Sequence, residues 1–229
     1  MKVTGKDGYL YDVKFGPVLV GGAGVTVPKD GFYKIQSCAS TGSGIPGVDP
    51  AKKGERGLKA GDFYFARKDQ EVAEGDSLIP MNLTKVSFVT DVGASAQGQV
   101  FDVTTQIDVE RGARAYVASV FKERSGTING YFDVGSLAQQ ELINEFNAVI
   151  TDDGTHISLK PAQSGTHHFM LSRRETITEG EVEAWEYFPV VIESFQTDKP
   201  IEGVCPFNFN YRVDGTHNPG IYYRTVEAA

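Results

Sequence analysis

Four histidines are the side chains in this sequence best suited to binding a metal or moving a proton. They are His156, His167, His168 and His217. His156 and one of the 167/168 pair could face each other across a hairpin, but a metal site would need a third ligand of suitable type. Exposed histidines on strands are the simpler interpretation, and we expect no metal.

Two short motifs that resemble cofactor or catalytic sites are incomplete. Gly22 and Gly24 follow a predicted strand, but Val27-Pro28 stand where a dinucleotide-binding motif needs its third glycine and the start of a helix. Ser43 lies between glycines, yet the GxSxG pattern of a nucleophile elbow is absent. We therefore expect that the protein is not an enzyme and binds no cofactor.

Trp185 and Tyr187 form a third candidate site, because they share a strand face with Glu181 and Glu183. Aromatic rings beside carboxylates could stack on a sugar, although aromatic residues also occupy cores and protein interfaces. A soluble carbohydrate-binding β-sandwich therefore stays open as an alternative function.

Composition limits the classes of protein that the chain could represent. Its 229 residues include 22 Lys+Arg and 30 Asp+Glu, a formal net charge of -8. An acidic chain is poorly suited to binding nucleic-acid phosphates as its main task. Cys38 and Cys205 form neither a disulfide framework nor a CxxC motif. No apolar run approaches the length of a membrane helix, so we expect a soluble protein that folds in a cytoplasm without a membrane partner.

Short runs rich in Val, Ile, Phe, Tyr and Thr, separated by scattered glycines and prolines, predict a mainly β fold. The clearest strand is predicted at 99–110, where polar and apolar residues alternate. A period of two places its acidic and hydroxylated residues on one face; they are Asp102, Thr104, Gln106, Asp108 and Glu110. We expect the following segments, 114–122 and 126–133, to be two strands separated by a turn.

One helix is predicted, at about 136–150. Ser136 and Gln139 form a capping box at its start. Apolar residues then recur at helical spacing and predict a stripe that packs on the sheet; they are Leu142, Ile143, Phe146, Val149 and Ile150.

We expect residues 1–229 to form a single domain that contains a long loop and an irregular end. The loop at about 41–61 is rich in Gly, Pro, Ser and Lys, and only Ile45, Val48 and Leu58 could anchor it. A loop of this length is either functional or without structure of its own, and we interpret it as an arm that orders on a neighbouring subunit. Glycine and proline breaks predict an irregular C-terminal tail at 215–229.

Several segments resemble the major tail tube proteins of long-tailed bacteriophages, mainly over residues 83–215. The segments are "LTKVSFVTDV", "VFDVTTQIDVERGARAYV", "SGTINGYFDVGSLAQQELINEF" and "FPVVIESFQTDKPIEGVCPFNFNYRVDG". Their order along the chain, together with the single helix, carries the resemblance.

The resemblance implies a β-sandwich with one flanking helix, whose strands join those of other subunits in a closed barrel. It implies hexameric rings that stack into a tail tube, with the tape-measure protein, the tail terminator and the baseplate or tail-tip proteins as partners. The genome would pass through the channel without specific binding. The protein would be part of the virion tail and would assemble in the host cytoplasm.

The charge of the 99–110 strand fits this implied function. Its apolar face must cover the subunit core, which leaves the acidic face for the channel or for the outer solvent. Carboxylates repel DNA and so favour passage over binding. We therefore predict that Asp102, Thr104, Gln106, Asp108 and Glu110 face the lumen.

Overall fold

The computed structural model describes residues 8–39, 43–45, 58–102, 116–133, 135–152, 154–162, 165–177, 180–197, 205–214 and 219–225. Within these residues the protein is mainly β, as predicted, with one α-helix. The strands are β1 (Tyr9–Phe15), β2 (Leu19–Val20), β3 (Gly31–Ser37), β4 (Phe63–Ala66), β5 (Ser77–Lys85), β6 (Val89–Asp102), β7 (Tyr116–Tyr131), β8 (Val149–Asp152), β9 (Ile157–Lys160), β10 (Thr166–Ile177), β11 (Gly180–Thr197), β12 (Pro206–Val213) and β13 (Gly220–Thr225). The helix, α1, spans Leu137–Asn144.

Eleven of the described strands form one antiparallel sheet, in the order β4-β3-β5-β1-β10-β11-β12-β7-β6. In addition, β13 pairs with β11 and β2 pairs with β5, while β8 and β9 form a separate two-stranded sheet. β11 is long enough to hold two neighbours on one side, because β13 pairs with residues 182–187 and β12 with residues 190–197.

The large sheet folds over on itself and makes the sandwich. The ring of Phe32 on β3 lies 5.0 Å from that of Trp185 on β11, and the ring of Phe63 on β4 lies 5.5 Å from that of Tyr187. One face of β10 and β11 is therefore covered by β3 and β4. The opposite face carries a second core, in which Leu142 of α1 packs with aromatic and aliphatic side chains of the sheet.

The helix begins where the sequence predicts and ends earlier. The Ser136 hydroxyl accepts a hydrogen bond from the backbone N–H of Gln139 at 3.4 Å, which confirms the N-cap. The predicted end near residue 150 is wrong, because α1 stops at Asn144 and Ile150 belongs to β8. In the 149–152 segment, pairing with β9 replaces helical hydrogen bonds.

Two further predictions about elements are wrong. The segments 114–122 and 126–133 are not two strands with a turn between them, since β7 runs unbroken from Tyr116 to Tyr131 beside β6 and β12. The 215–229 tail is not wholly irregular, because β13 pairs with β11 there. Tyr222 explains the second case, since its side chain packs against the core and holds the tail on the sheet.

Candidate functional site: the projecting hairpin and its supports

The histidines do not form a metal site in the part of the chain that the structure describes. No group of three or more His, Cys, Asp or Glu side chains there is placed to hold a metal ion. His156 precedes β9, which pairs with β8 and not with β10, so β9 and β10 do not form the hairpin that could have brought His156 to His167 or His168. His167 instead contacts Glu145, and His168 contacts the Tyr187 hydroxyl at 2.9 Å. His217 lies outside the described residues.

Trp185 and Tyr187 do share a face of β11, but side chains of β3 and β4 cover that face. Tyr187 is fully buried under β4, and burial raises the pKa of its hydroxyl. The Trp185 indole N–H donates to Glu183 at 3.2 Å while its ring packs against Phe32. These two rings therefore offer no open platform for a sugar.

The β6–β7 hairpin projects from the rest of the sheet. β12 pairs with β7 only over residues 125–131, whereas β6 pairs with β7 as far as Asp102 and Tyr116. The outer part of the hairpin is therefore a two-stranded ribbon, and β6 forms an edge of the described sheet. Asp102 is the last described residue of β6, and Thr104, Gln106, Asp108 and Glu110 lie outside the described residues, so their lumenal position stays a prediction.

The root of this hairpin is the part where β7 also pairs with β12. Two glycine–aromatic pairs link the strands there. Gly126 and Gly130 of β7 stand directly opposite Tyr211 and Phe207 of β12. A Cβ atom at Gly126 would lie 2.0 Å from the Gly93 carbonyl oxygen and 2.6 Å from the Tyr211 hydroxyl. The two glycines of the "GTING" segment thus make room for the aromatic rings.

Tyr211 ties the hairpin root to its edge strand. Its hydroxyl donates to the Gly93 carbonyl of β6 at 3.0 Å, across β7. Burial raises the pKa of this hydroxyl to about 12, so it keeps its proton at neutral pH. The bond fixes the direction in which the ribbon leaves the sheet.

The two ends of the 41–61 loop are built into the subunit. Ile45 is buried in a core cluster of β3, β4 and β5, and Leu58 packs against the same cluster. Both ends of the loop therefore contribute to the core of the subunit itself. Val48 lies outside the described residues, and the roles of Ile45, Val48 and Leu58 as inter-subunit anchors stay a prediction.

Asp76, which the sequence analysis missed, fixes where this loop leaves the body. Its buried carboxylate accepts hydrogen bonds from the backbone N–H groups of Ala39 and Gly44, both at 2.8 Å, and from the Ser43 hydroxyl at 2.9 Å. A buried carboxylate needs such donors, since unpaired it would be costly. The Gly-Asp pair before β5 was the available sequence signal, but only the fold brings residues 39–44 to it.

A polar cluster docks α1 on the sheet beside the core. Lys14 on β1 pairs with Glu141 on α1 and, at 3.4 Å, with Asp12; His167 on β10 lies 3.0 Å from Glu145. Burial raises the pKa of the Asp12 carboxyl, and Lys14 offsets only part of this effect. Burial alone would lower the pKa of Lys14, but its bonds to Glu141 and Asp12 outweigh burial and raise it.

The Gln139 side chain forms a second attachment of α1 to the sheet. Its partners differ from those that the capping box predicts. Its amide does not return to Ser136: the Oε1 atom accepts from the Asp133 N–H at 2.7 Å, and the Nε2 atom donates to the Ser87 and Tyr131 carbonyls at 2.6 and 3.1 Å. The helix start is thereby bonded to both the end of β7 and the turn before β6.

Comparisons with known proteins give a weak likeness to a solved structure. No protein-family model and no curated protein matches the chain. Among solved structures, the chain is similar to one from the tail of an empty GTA (gene transfer agent) particle with C6 symmetry, at 14% identity and a TM-score of 0.39. The likeness covers 62% of this chain and 87% of the other. Among the described residues, no helix is both long and apolar enough to span a membrane.

Proposed function

We propose that this protein is a non-catalytic structural subunit that assembles with its own copies into the tube of a phage-like tail. The observation that carries the proposal is the projecting β6–β7 hairpin with its long edge strand. An unprotected edge presents unpaired N–H and C=O groups that pair readily with another strand. Such an edge is suited to a subunit whose sheet is completed by its neighbours.

Closed assembly is the arrangement that best uses this hairpin. A heterologous contact that repeats around an axis closes into a ring, and a barrel formed in this way leaves no free edge. The sequence resemblance supports rings of six that stack into a tube in a virion tail, assembled in the host cytoplasm. The tape-measure protein, the tail terminator and the baseplate or tail-tip proteins are the partners that this function requires.

A shortened hairpin tests the proposal. Ala96 and Arg124 are cross-strand partners, so an Asn-Gly turn in place of residues 97–123 closes the hairpin at that pair. Concentrated wild-type protein should form rings or tubes in electron micrographs, whereas the shortened variant should stay monomeric and still unfold cooperatively on heating. Tubes of normal width from the variant, or only monomers from the wild type, would overturn the proposal.

The lumenal face is a finer part of the same proposal. Asp102, Thr104, Gln106, Asp108 and Glu110 would line the channel and repeat around it as negative rings, screened over about 8–10 Å at ordinary salt. Virions that carry Asp102→Lys with Asp108→Lys should assemble but eject DNA slowly. Ejection at the wild-type rate would mean that these carboxylates do not act on the passing DNA.

A further inference from the structure

One edge of β10 is only partly occupied by its neighbour. β10 pairs with β11 along its whole length. On its other side, β1 pairs with β10 only over residues 169–172, where Tyr9 stands opposite Ser172. Residues 173–177 therefore have no strand beside them on the β1 side among the residues that the structure describes.

The alternation of backbone groups shows which atoms of this edge are unpaired. The Leu10 carbonyl accepts a hydrogen bond from the Val86 N–H at 2.8 Å, on the side of β1 away from β10. Because backbone groups alternate sides along an antiparallel strand, Tyr9 directs its N–H and C=O groups towards β10. The same alternation along β10, counted from the partner of Tyr9, directs those of Arg174 and Thr176 to the unpaired edge.

The Arg174 side chain adds an unused positive charge to this edge. It is exposed and makes no ion pair or hydrogen bond with any described residue. Glu183, its cross-strand partner on β11, is instead bound by Arg224 at 2.6 Å and by the Trp185 indole at 3.2 Å. An open edge with an unpaired cation suits an extended segment that carries a carboxylate.

Residues 2–7 of the same chain have the length and the charge for this edge. They precede the start of β1 directly, so they need only continue that strand. In the register of β1 and β10, Asp7 falls opposite Arg174 and Gly5 opposite Thr176. The segment, "KVTGKD", contains no proline that would remove a backbone donor. It spans roughly 20 Å when extended, which is enough to reach the end of β10.

We infer that residues 2–7 extend β1 along β10 and close this edge of the sheet. Asp7 lies beside Arg174, and Arg174 and Thr176 each exchange backbone hydrogen bonds with the segment. The segment is attached to β1 at the site itself, so it pairs there at a smaller entropic cost than a strand of another copy. A closed β10 edge directs neighbouring subunits to the β6 edge; this consequence, but not the pairing, rests on the proposed function.

Hydrogen exchange of single amides tests the pairing. The Arg174 and Thr176 amides should exchange at least roughly tenfold more slowly in the wild type than in a variant that lacks residues 2–7. The amides of Arg173 and Glu175 point to β11 and are the matched controls, with protection expected in both proteins. Equal exchange of Arg174 and Thr176 in the two proteins would overturn the inference. Protection that rises with protein concentration would also overturn it, because it would come from a second copy.

An exchange of charges tests the register. Asp7→Arg should reduce the protection of the Thr176 amide at least about threefold, and Asp7→Arg combined with Arg174→Asp should restore it. Glu74→Arg makes the same change of charge at an exposed site elsewhere and should leave this amide unchanged. Protection that survives Asp7→Arg, or that the combined variant does not recover, would show that Asp7 does not lie beside Arg174.

The shortened-hairpin variant tests whether the segment closes the edge. With residues 97–123 replaced, the β6–β7 ribbon is absent and the protein should be monomeric. Deletion of residues 2–7 from this variant should bring back association through β10, as measured by sedimentation. A monomeric double variant would overturn the closing role. Protection of Thr176 in a wild type that forms no tubes would overturn the proposed function and leave the pairing standing.

Discussion

At the scale of single residues, Asp12 is a carboxylate whose burial disfavours its charged form. It is buried beside Lys14, and Glu141 and His167 also act on it. Its pKa is raised from the ordinary value of 3.8, with burial as the largest cause. The folded protein therefore binds the Asp12 proton more tightly than the unfolded chain does, which links stability to pH.

The sign of this linkage gives the first prediction. The Asp12 contribution to the free energy of unfolding is fully present below pH 3.8 and is lost as pH rises through the raised pKa of the folded state. Asp12→Asn cannot titrate there, so the stability of the wild type minus that of the variant should fall between acid and neutral pH. Urea unfolding at several pH values measures the difference, and a difference that stays constant or grows with pH would contradict the assignment.

At the scale of elements, the β7–β12 pairing depends on glycines that lie under aromatic rings. Gly126→Ala would place a Cβ atom against the backbone oxygen of Gly93, which cannot move without displacing β6. We expect a loss of about 1–3 kcal/mol in unfolding free energy, as for overpacking in general. Gly165→Ala is the control, because a Cβ atom there meets nothing within 4 Å. Similar stability of the two variants would mean that the strands adjust without cost.

The helix gives a second prediction at this scale. Leu142 is fully buried in the core beside the sheet, so Leu142→Ala should cost roughly 2–5 kcal/mol. Phe146 follows the helix and is 41% exposed, with its ring 6.5 Å from that of Phe195. The predicted helical stripe includes Phe146, and a buried ring there would give a large loss. The exposure of Phe146 reduces the expected cost of Phe146→Ala to about 1 kcal/mol. Chemical denaturation distinguishes the two outcomes.

At the scale of the whole molecule, the two ends of the 41–61 loop contribute to the stability of the subunit itself. Its ends belong to the core through Ile45, Leu58 and the Asp76 carboxylate. Deletion of residues 44–58 would therefore damage the monomer and could not test an assembly role. A variant that keeps both ends is needed.

Replacement of residues 47–56 by a Gly/Ser linker of equal length meets this need. The unfolding free energy should change by no more than about 0.5 kcal/mol, since the buried ends remain. Tube formation should be lost if the loop orders on a neighbouring subunit. Normal tubes from a stable variant would contradict the arm hypothesis. The control is Asp91→Ala, a change at an exposed site on β6 that should be neutral.

Part of this fold follows from local patterns that the sequence contains. Alternation with a period of two predicts strands, and a hydroxyl side chain before an apolar stripe predicts where a helix begins, because both depend on neighbouring residues. The mainly β composition and the Ser136 cap are of this kind. Burial is different, since it depends on which distant strands come together.

The tertiary structure decided the features that long-range packing controls. Tyr187 is a candidate sugar platform in the sequence and a core residue in the fold, because β4 covers it. The apolar stripe continues past Asn144, yet pairing with β9 ends the helix and leaves Ile150 exposed. Asp76 gains its donors only when residues 39–44 reach it. The sequence by itself determined the mainly β composition and the start of the helix, because these depend on neighbouring residues. Only packing decided where several elements end and which faces are buried, because these depend on distant strands.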